Sequence, residues 1–262
     1  MTAAMTFAVL DTLPVIGLAE LESRAALQTR VDRKYLMAIG EAERLLEALA
    51  AEAVVLEIGG IRRFTYESLY FDTPALSSYL RTAYRHRRRF KVRTRTYVDS
   101  GDCWLEVKVP GQRGSTVKYR TPHEREQHRD VAAGRAFVDD VFARHGLPAA
   151  GRAVLTSVLR TEYLRFTLLL PGSDSRVTVD TGLRWSTDEH ELRLPRTAVV
   201  ETKTGAAASR ADRQLWRWGH RPVAFSKYAT GLAALRTDLP AAPWRRVLDR
   251  HFTAAREELV HG

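Results

Sequence analysis

The sequence predicts an α+β fold in which antiparallel strands each present one ionic and one apolar face. Three observations lead there. Helix-like and strand-like segments mix without a regular βαβ alternation. Six short stretches alternate charged residues with apolar residues or threonine at the two-residue period of a strand. The ionic sides are mostly basic, in a 262-residue chain with 41 Lys and Arg against 31 Asp and Glu, a formal net charge of +10.

The helices come first in this reading. Residues 41 to 53 place Leu45, Leu46 and Leu49 on one face. A second helix is expected from Pro74 to about Arg87, with Asp72 or Thr73 as cap and Pro74 at the first helical position. Others are expected over about 131–145, 153–161, 208–219 and 244–259.

The strands carry the information. Arg30 to Tyr35 puts Arg30, Asp32 and Lys34 on one face, and Lys91 to Tyr97 does the same for Lys91, Arg93, Arg95 and Tyr97. In Trp104 to Val109, Glu106 and Lys108 oppose Leu105, Val107 and Val109; in Thr116 to Arg120, Thr116, Lys118 and Arg120 oppose Val117 and Tyr119. Arg176, Thr178 and Asp180 oppose Val177 and Val179, and Glu201 shares a face with Lys203. Gly111 to Thr116 reads as a hairpin turn; it lacks the Gly-Lys-Ser/Thr ending of a P-loop.

Composition excludes several classes. At 45% hydrophobic and 27% charged residues the chain can bury a core, yet no apolar run approaches the roughly 20 residues of a membrane span. The N-terminus lacks the basic start of a secretory signal. The single cysteine, Cys103, excludes an internal disulfide framework and a cysteine-based zinc site, so a reducing cytoplasm fits best. The basic surplus calls for an acidic partner: nucleic acid, an anionic membrane surface or a phosphorylated small molecule.

The basic residues divide unevenly, into six lysines and 35 arginines. A bias that turns interchangeable Lys into Arg leaves lysines where a compact ammonium is needed. All six (Lys34, Lys91, Lys108, Lys118, Lys203 and Lys227) fall in the strand-like segments, counting Lys227 in Phe225-Ser226-Lys227-Tyr228. A solvated sheet face explains one such strand. Six basic faces side by side oppose one another, and a closed barrel with an ionic interior holding a polyanion is the other solution. Phosphates need such cations, and Asp32, Glu106, Asp180 and Glu201 could supply oxygens to a divalent cation, Glu201 best because its strand is otherwise apolar. The run Arg85-His86-Arg87-Arg88-Arg89 reads as a solvated helix end.

The motifs Arg30-x-Asp32-x-Lys34-Tyr35, Leu69-Tyr70-Phe71-Asp72-Thr73, Lys91-Val92-Arg93-x-Arg95-x-Tyr97, Leu105-Glu106-x-Lys108, Val117-Lys118-x-Arg120, Val199-x-Glu201-x-Lys203 and Phe225-Ser226-Lys227-Tyr228 together resemble the VTC domain. That domain is the polyphosphate polymerase branch of the triphosphate tunnel metalloenzymes, the CYTH-like superfamily. The resemblance covers about residues 25–238 and implies one domain over 1–262, a closed eight-stranded antiparallel β-barrel with a charged interior surrounded by helices. It implies that the end of a polyphosphate chain attacks the γ-phosphate of ATP and releases ADP. Carried over, Lys34, Arg93, Arg95, Lys108, Lys118 and Lys203 would act on the reacting phosphates, Arg81, Arg165, Arg176, Ser226 and Lys227 would bind phosphates, and Glu201 would hold Mn2+ or Mg2+. Two departures stand out. Hydrolytic branches open with ExExK where this chain has Arg30-x-Asp32-x-Lys34, and the polymerases carry a Lys where this chain has Ala224. The implied partners are ATP and polyphosphate, not nucleic acid, and export would need a separate membrane partner. The alternatives are a metal-dependent triphosphate hydrolase and a non-catalytic polyanion-binding module. A nucleic-acid binder should display outward cations with exposed aromatics for stacking, whereas Phe71, Tyr119, Phe166 and Phe225 are expected to face away from the cations, which favours the tunnel.

Overall fold

A computed structural model describes residues 7–24, 31–111, 116–147 and 154–260. In chain order the helices are α1 (Val9–Thr12), α2 (Leu18–Arg24), α3 (Ile39–Leu49), α4 (Ser77–Ala83), α5 (Arg135–Arg144), α6 (Arg210–Arg217), α7 (Lys227–Leu235), α8 (Arg245–His251) and α9 (Thr253–Val260). The strands are β1 (Val15–Ile16), β2 (Val31–Ala38), β3 (Val54–Leu56), β4 (Phe64–Asp72), β5 (Lys91–Tyr97), β6 (Cys103–Pro110), β7 (Thr116–Pro122), β8 (Thr156–Leu170), β9 (Ser175–Ser186), β10 (Glu191–Leu194) and β11 (Thr197–Thr204). The chain forms two compact units: Met1–Phe64 with Leu164–Gly182 and Pro195–Val223, and Thr65–Tyr163 with Leu183–Leu194 and Ala224–Gly262.

In the first unit the strand order is β2–β11–β9–β8, with β3 on β8 and the short β1 parallel to β3. One face of this sheet is apolar. Tyr35, Met37, Val177, Val179, Ala198 and Val200 pack there against Leu45, Leu46 and Leu49 of α3 and Leu215 of α6. The 41–53 periodicity thus corresponds to α3, which starts two residues earlier, where the Glu41 carboxylate accepts the Ala38 N–H at 3.0 Å. Ser209 caps α6, accepting from Asp212 N at 3.0 Å.

In the second unit the order is β8–β4–β5–β6–β7, and β10 pairs with the end of β9. Its apolar face (Leu69, Phe71, Val92, Leu105, Val107 and Val109) packs on Val138, Val141 and Phe142 of α5. β6 and β7 are adjacent and antiparallel, with Pro110 opposite Thr116; the intervening residues 112–115, like Arg30, lie outside the described residues.

Five expectations are corrected. The closed eight-stranded barrel is not formed: β2 and β7 are edge strands, so each unit's sheet is open among the described residues. At Lys34 the free edge of β2 is taken by Val223, whose N–H donates to Lys34 O at 2.8 Å. The edge strand β7 exposes Thr116, Lys118 and Arg120, and the two charged side chains discourage further strand pairing. The helix expected over 153–161 is replaced from Thr156 onward by the fifteen-residue β8, and residue 153 lies outside the described residues. Val154, Leu155, Val158 and Leu159 fit a helical spacing, but β-branched Thr156, Val158 and Thr161 favour the pleated surface, and Leu159, Thr161 and Tyr163 are buried at strand period. The helix expected from Pro74 is only α4, because Leu76 adopts a left-handed φ of 51° and Asp72 caps from outside, accepting Ser78 N at 2.8 Å and Tyr79 N at 2.9 Å. Lys227 is not on a strand: Ser226 caps α7, accepting from Ala229 N at 3.2 Å, and Lys227 opens the helix. The C-terminal stretch 244–259 holds two helices, α8 and α9, broken at buried Phe252.

Candidate phosphate-binding faces

In the first unit, register alone assembles an ionic face. Asp32 lies opposite Lys203 and Lys203 opposite Arg176; Lys34 lies opposite Glu201 and Glu201 opposite Thr178. Lys203 Nζ donates to the Glu201 carboxylate and, at 3.2 Å, to Asp32 Oδ2, while Lys34 Nζ stands 3.7 Å from Glu201. Arg165 on β8 forks Asp180, at 2.5 Å and 2.8 Å. Behind this face, Asp212 of α6 accepts from Tyr35 Oη at 2.7 Å, Thr202 Oγ1 at 2.6 Å and Arg33 at 3.4 Å. Those donors are the sequence neighbours of Lys34, Glu201 and Lys203, which places them on the opposite side of the same strands.

The second unit carries a different face. Lys91, Lys108 and Lys118 stand directly opposite one another across β5, β6 and β7. The next row is Tyr70, Arg93, Glu106 and Arg120; the next is Ser68, Arg95, Trp104 and Pro122; Tyr66 and Tyr97 pair beyond. Arg93 donates twice to Glu106 Oε2, at 2.8 Å and 2.5 Å, and Lys118 Nζ lies 3.6 Å from Oε1. Lys91 Nζ donates to Ser226 Oγ at 2.8 Å, Arg95 donates to Tyr163 Oη at 3.0 Å, and Lys227 Nζ sits 4.2 Å above the Tyr163 ring.

Like charges directly opposed across strands destabilise a sheet, and the ionisation shifts record the strain. Burial alone would raise the Glu106 carboxyl, but Arg93, Arg95, Lys108 and Lys118 hold it well below the usual carboxylate range. The Arg93 charge, with burial, pushes Lys108 well below the usual ammonium range. Burial and Arg120 push Lys118 down against the pull of Glu106. A polyanion laid along this face would relieve the repulsion.

The sequence-predicted residues therefore separate into sets. Lys34, Arg165, Arg176, Glu201 and Lys203 are in the first unit; Arg93, Arg95, Lys108, Lys118, Ser226 and Lys227 are in the second. Arg81, on α4, donates to Arg88 O at 3.4 Å. Lys91 and Arg120 belong to the cationic rows without having been assigned a phosphate, although the alternation that marked Arg93 and Lys118 marks them too. The aromatic residues divide in the same way. Phe71, Tyr119, Phe166 and Phe225 do avoid the ionic faces, being buried or packed on the cores. Tyr66, Tyr70 and Trp104 do not: Arg95 lies 5.4 Å from the Tyr66 ring, Arg93 5.7 Å from Tyr70 and Arg120 4.5 Å from Trp104.

For a divalent cation, the available donors are few. Among the described residues no group of three or more His, Cys, Asp or Glu side chains comes together, and Glu201 and Asp32 share the Lys203 ammonium. One or two carboxylates suit an ion that brings most of its oxygens from bound phosphates, and do not suit an ion caged by protein alone.

The family model of the VTC domain matches residues 29–236. A solved protein from Bacillus halodurans, provisionally assigned as an adenylate cyclase, is 16% identical, with 78% of this chain and 96% of that chain covered at a TM-score of 0.48. A Hippeastrum protein, provisionally assigned as an adenylyl cyclase and described as having a dominant triphosphatase activity, is 15% identical over 77% of this chain and 94% of its own, at a TM-score of 0.47. No curated protein matches.

Proposed function

Since the chain belongs to the VTC domain family, we propose that it is an ATP-dependent polyphosphate polymerase, transferring the γ-phosphate of ATP to a growing polyphosphate chain and releasing ADP. The observation that carries this reading is the row Lys91, Lys108 and Lys118, backed by Arg93 and Arg95, a surplus of positive charge that only a polyanion matches. Lys34, Lys203, Arg165 and Arg176 add phosphate contacts in the first unit; Ser226, Lys227 and Arg81 do so in the second. The lysines supply compact point charges for phosphate oxygens and the arginines planar forks for two oxygens at once. Neutralising the charge on the transferring group is most of what phosphoryl transfer asks of a protein.

Glu201 is the residue to hold Mn2+ or Mg2+, with Asp32 nearest to it through Lys203. When bound, the ion would polarise phosphate oxygens. Phosphates that take over Lys203 free the Glu201 carboxylate at the same moment, so substrate and ion would be accepted together. No helix among the described residues is long and apolar enough to cross a membrane, and polymer export would need a separate membrane partner.

The test is incubation of the purified protein with ATP and Mn2+, followed by separation of ADP, free phosphate and polyphosphate. Polymer with stoichiometric ADP is expected. Free phosphate without polymer would make the protein a hydrolase, and binding without ADP release would make it a polyanion-binding module.

A further inference from the structure

The cationic face of the second unit is not uniform along its strands. Its lysines stand at one end, and at the other the same side of the sheet turns aromatic. Trp104 is four residues from Lys108 on β6, on the same face and about 13 Å away along the strand. Tyr66 and Tyr97 pair beside it on β4 and β5, with ring centroids 5.0 Å apart, and Tyr66 stacks on Tyr163 at 5.3 Å with planes 8° apart. None of these rings belongs to the apolar core of this unit, which is built on the opposite face from Leu69, Val92, Leu105 and Val107. Trp104, Tyr66 and Tyr97 are only half-buried.

We propose that this aromatic end seats the nucleobase of the donor nucleotide, with Trp104 as the ring on which the base stacks; the inference rests on the transferase reading and extends it to the donor's other end. A strip with ammonium groups at one end and flat rings at the other complements a ligand that is phosphate at one end and a π-system at the other. Inorganic polyphosphate alone has no use for the aromatic end. Arg120 lies 4.5 Å from the Trp104 ring and is exposed, so a guanidinium and an indole are already arranged as two walls that can take a base or yield to one. Stacking of this kind tolerates any base, because every base has a π-face. ATP and GTP should therefore bind alike.

The experiment measures dissociation constants of ATP, GTP and tripolyphosphate for the wild type, Trp104→Ala and Trp104→Phe. Trp104→Ala should weaken both nucleotides about tenfold or more and leave tripolyphosphate within about twofold; Trp104→Phe should keep most of the affinity. The chain has five tryptophans, so Trp104→Phe also isolates the optical signal. ATP should change the fluorescence of the wild type but not of Trp104→Phe, and tripolyphosphate should change neither. Equal losses for ATP and tripolyphosphate in Trp104→Ala, or no loss for either, would overturn the proposal while leaving the transferase reading standing. A wild type that binds neither ligand would end both. A single-stranded oligonucleotide that outcompetes ATP, and loses more than ATP does on Trp104→Ala, would reassign the strip to nucleic acid.

Discussion

The two ionic faces are built by the same strand alternation and reach opposite electrostatic states. In the first unit each carboxylate meets a cation on its own face: Asp32 with Lys203, Glu201 with Lys203 and Lys34, Asp180 with Arg165. In the second, Glu106 is the one carboxylate in rows of lysine and arginine, and three lysines are stacked abreast. The first face is complete without a ligand. The second keeps an excess of cations that an anionic ligand would balance. Substitutions should therefore behave differently on the two sides.

The largest effect should come from Arg93→Ala. A barrel relieved of like charges would tolerate that change, but here the loss strands the Glu106 carboxylate, fully buried, without its closest cation. Removing one partner of such a pair costs about 3–5 kcal/mol, so chemical denaturation should show a large loss of stability. Arg95, which bonds hydroxyls rather than a carboxylate, should give the contrasting result: Arg95→Ala stays folded and loses triphosphate affinity. The same pair sets the acid limb. Because the folded Glu106 titrates far below its ordinary value of 4.5, its stabilisation is complete above that pH and fades as the pH falls below it. Glu106→Gln should flatten the stability profile in that range, measured as melting temperature from pH 5 downward.

Next in size is the response to ligand. Tripolyphosphate at about a hundred times its dissociation constant should stabilise by about 2.7 kcal/mol, seen as a rise in melting temperature at physiological salt, whereas duplex DNA should do little. Proton release or uptake sharpens the point. Lys108 is pushed down in the empty protein, by Arg93 first and then by burial, with Arg95 and Lys91 adding to it and Glu106 opposing it. The folded chain therefore binds fewer protons than the unfolded one between the folded value and 10.5, and stability rises with pH across that interval. An anion reverses the shift, so binding should take up protons; calorimetry in buffers of different ionisation enthalpy would reveal it. No uptake, or uptake unchanged in Lys108→Met, would deny Lys108 a place beside the phosphates.

The smallest change in stability should come from Glu201→Gln on the balanced face, because glutamine keeps the shape and an oxygen for the Lys203 and Lys34 ammonium groups beside it. Its effect on turnover should nonetheless be large. Metal-dependent phosphoryl transfer should be lost while tripolyphosphate affinity is kept, and unimpaired turnover would remove Glu201 from the ion's site.

Much of this was legible in the sequence because period-two alternation is a local property. Asp32 with Lys34, Arg93 with Arg95 and Glu201 with Lys203 share faces as their spacing requires. What was illegible depends on distant partners. Nothing local tells whether Thr156 to Leu159 pairs as strand or coils as helix; the neighbouring β-strand decides. Lys227 looked like a strand residue until Ser226 found the N–H of Ala229 to cap. Edges cannot be read from alternation either: repulsion among the basic faces and the family resemblance both pointed to closure, but which strands end the sheet depends on partners far away in the chain. Phe71, Tyr119, Phe166 and Phe225 stand on the core side, whereas Trp104 and Tyr66 share the face of Lys108 and Arg95, where their polar tips suit a wet surface.

Asp212 has one further consequence, for register. β2 and β11 are neighbours in the sheet, yet Asp32 and Lys203 are 171 residues apart, so no hairpin turn sets how the strands slide past each other. A slip of β2 by one residue would send Lys34 into the apolar core and bring Tyr35 to the ionic side. Asp212 grips Arg33 and Tyr35 on one strand and Thr202 on the other, and Ser209 N and Oγ at 2.8 Å fix the carboxylate itself. A single side chain on α6 thus performs the indexing that a turn performs elsewhere, and ties the correct alignment of the two strands to the docking of one helix.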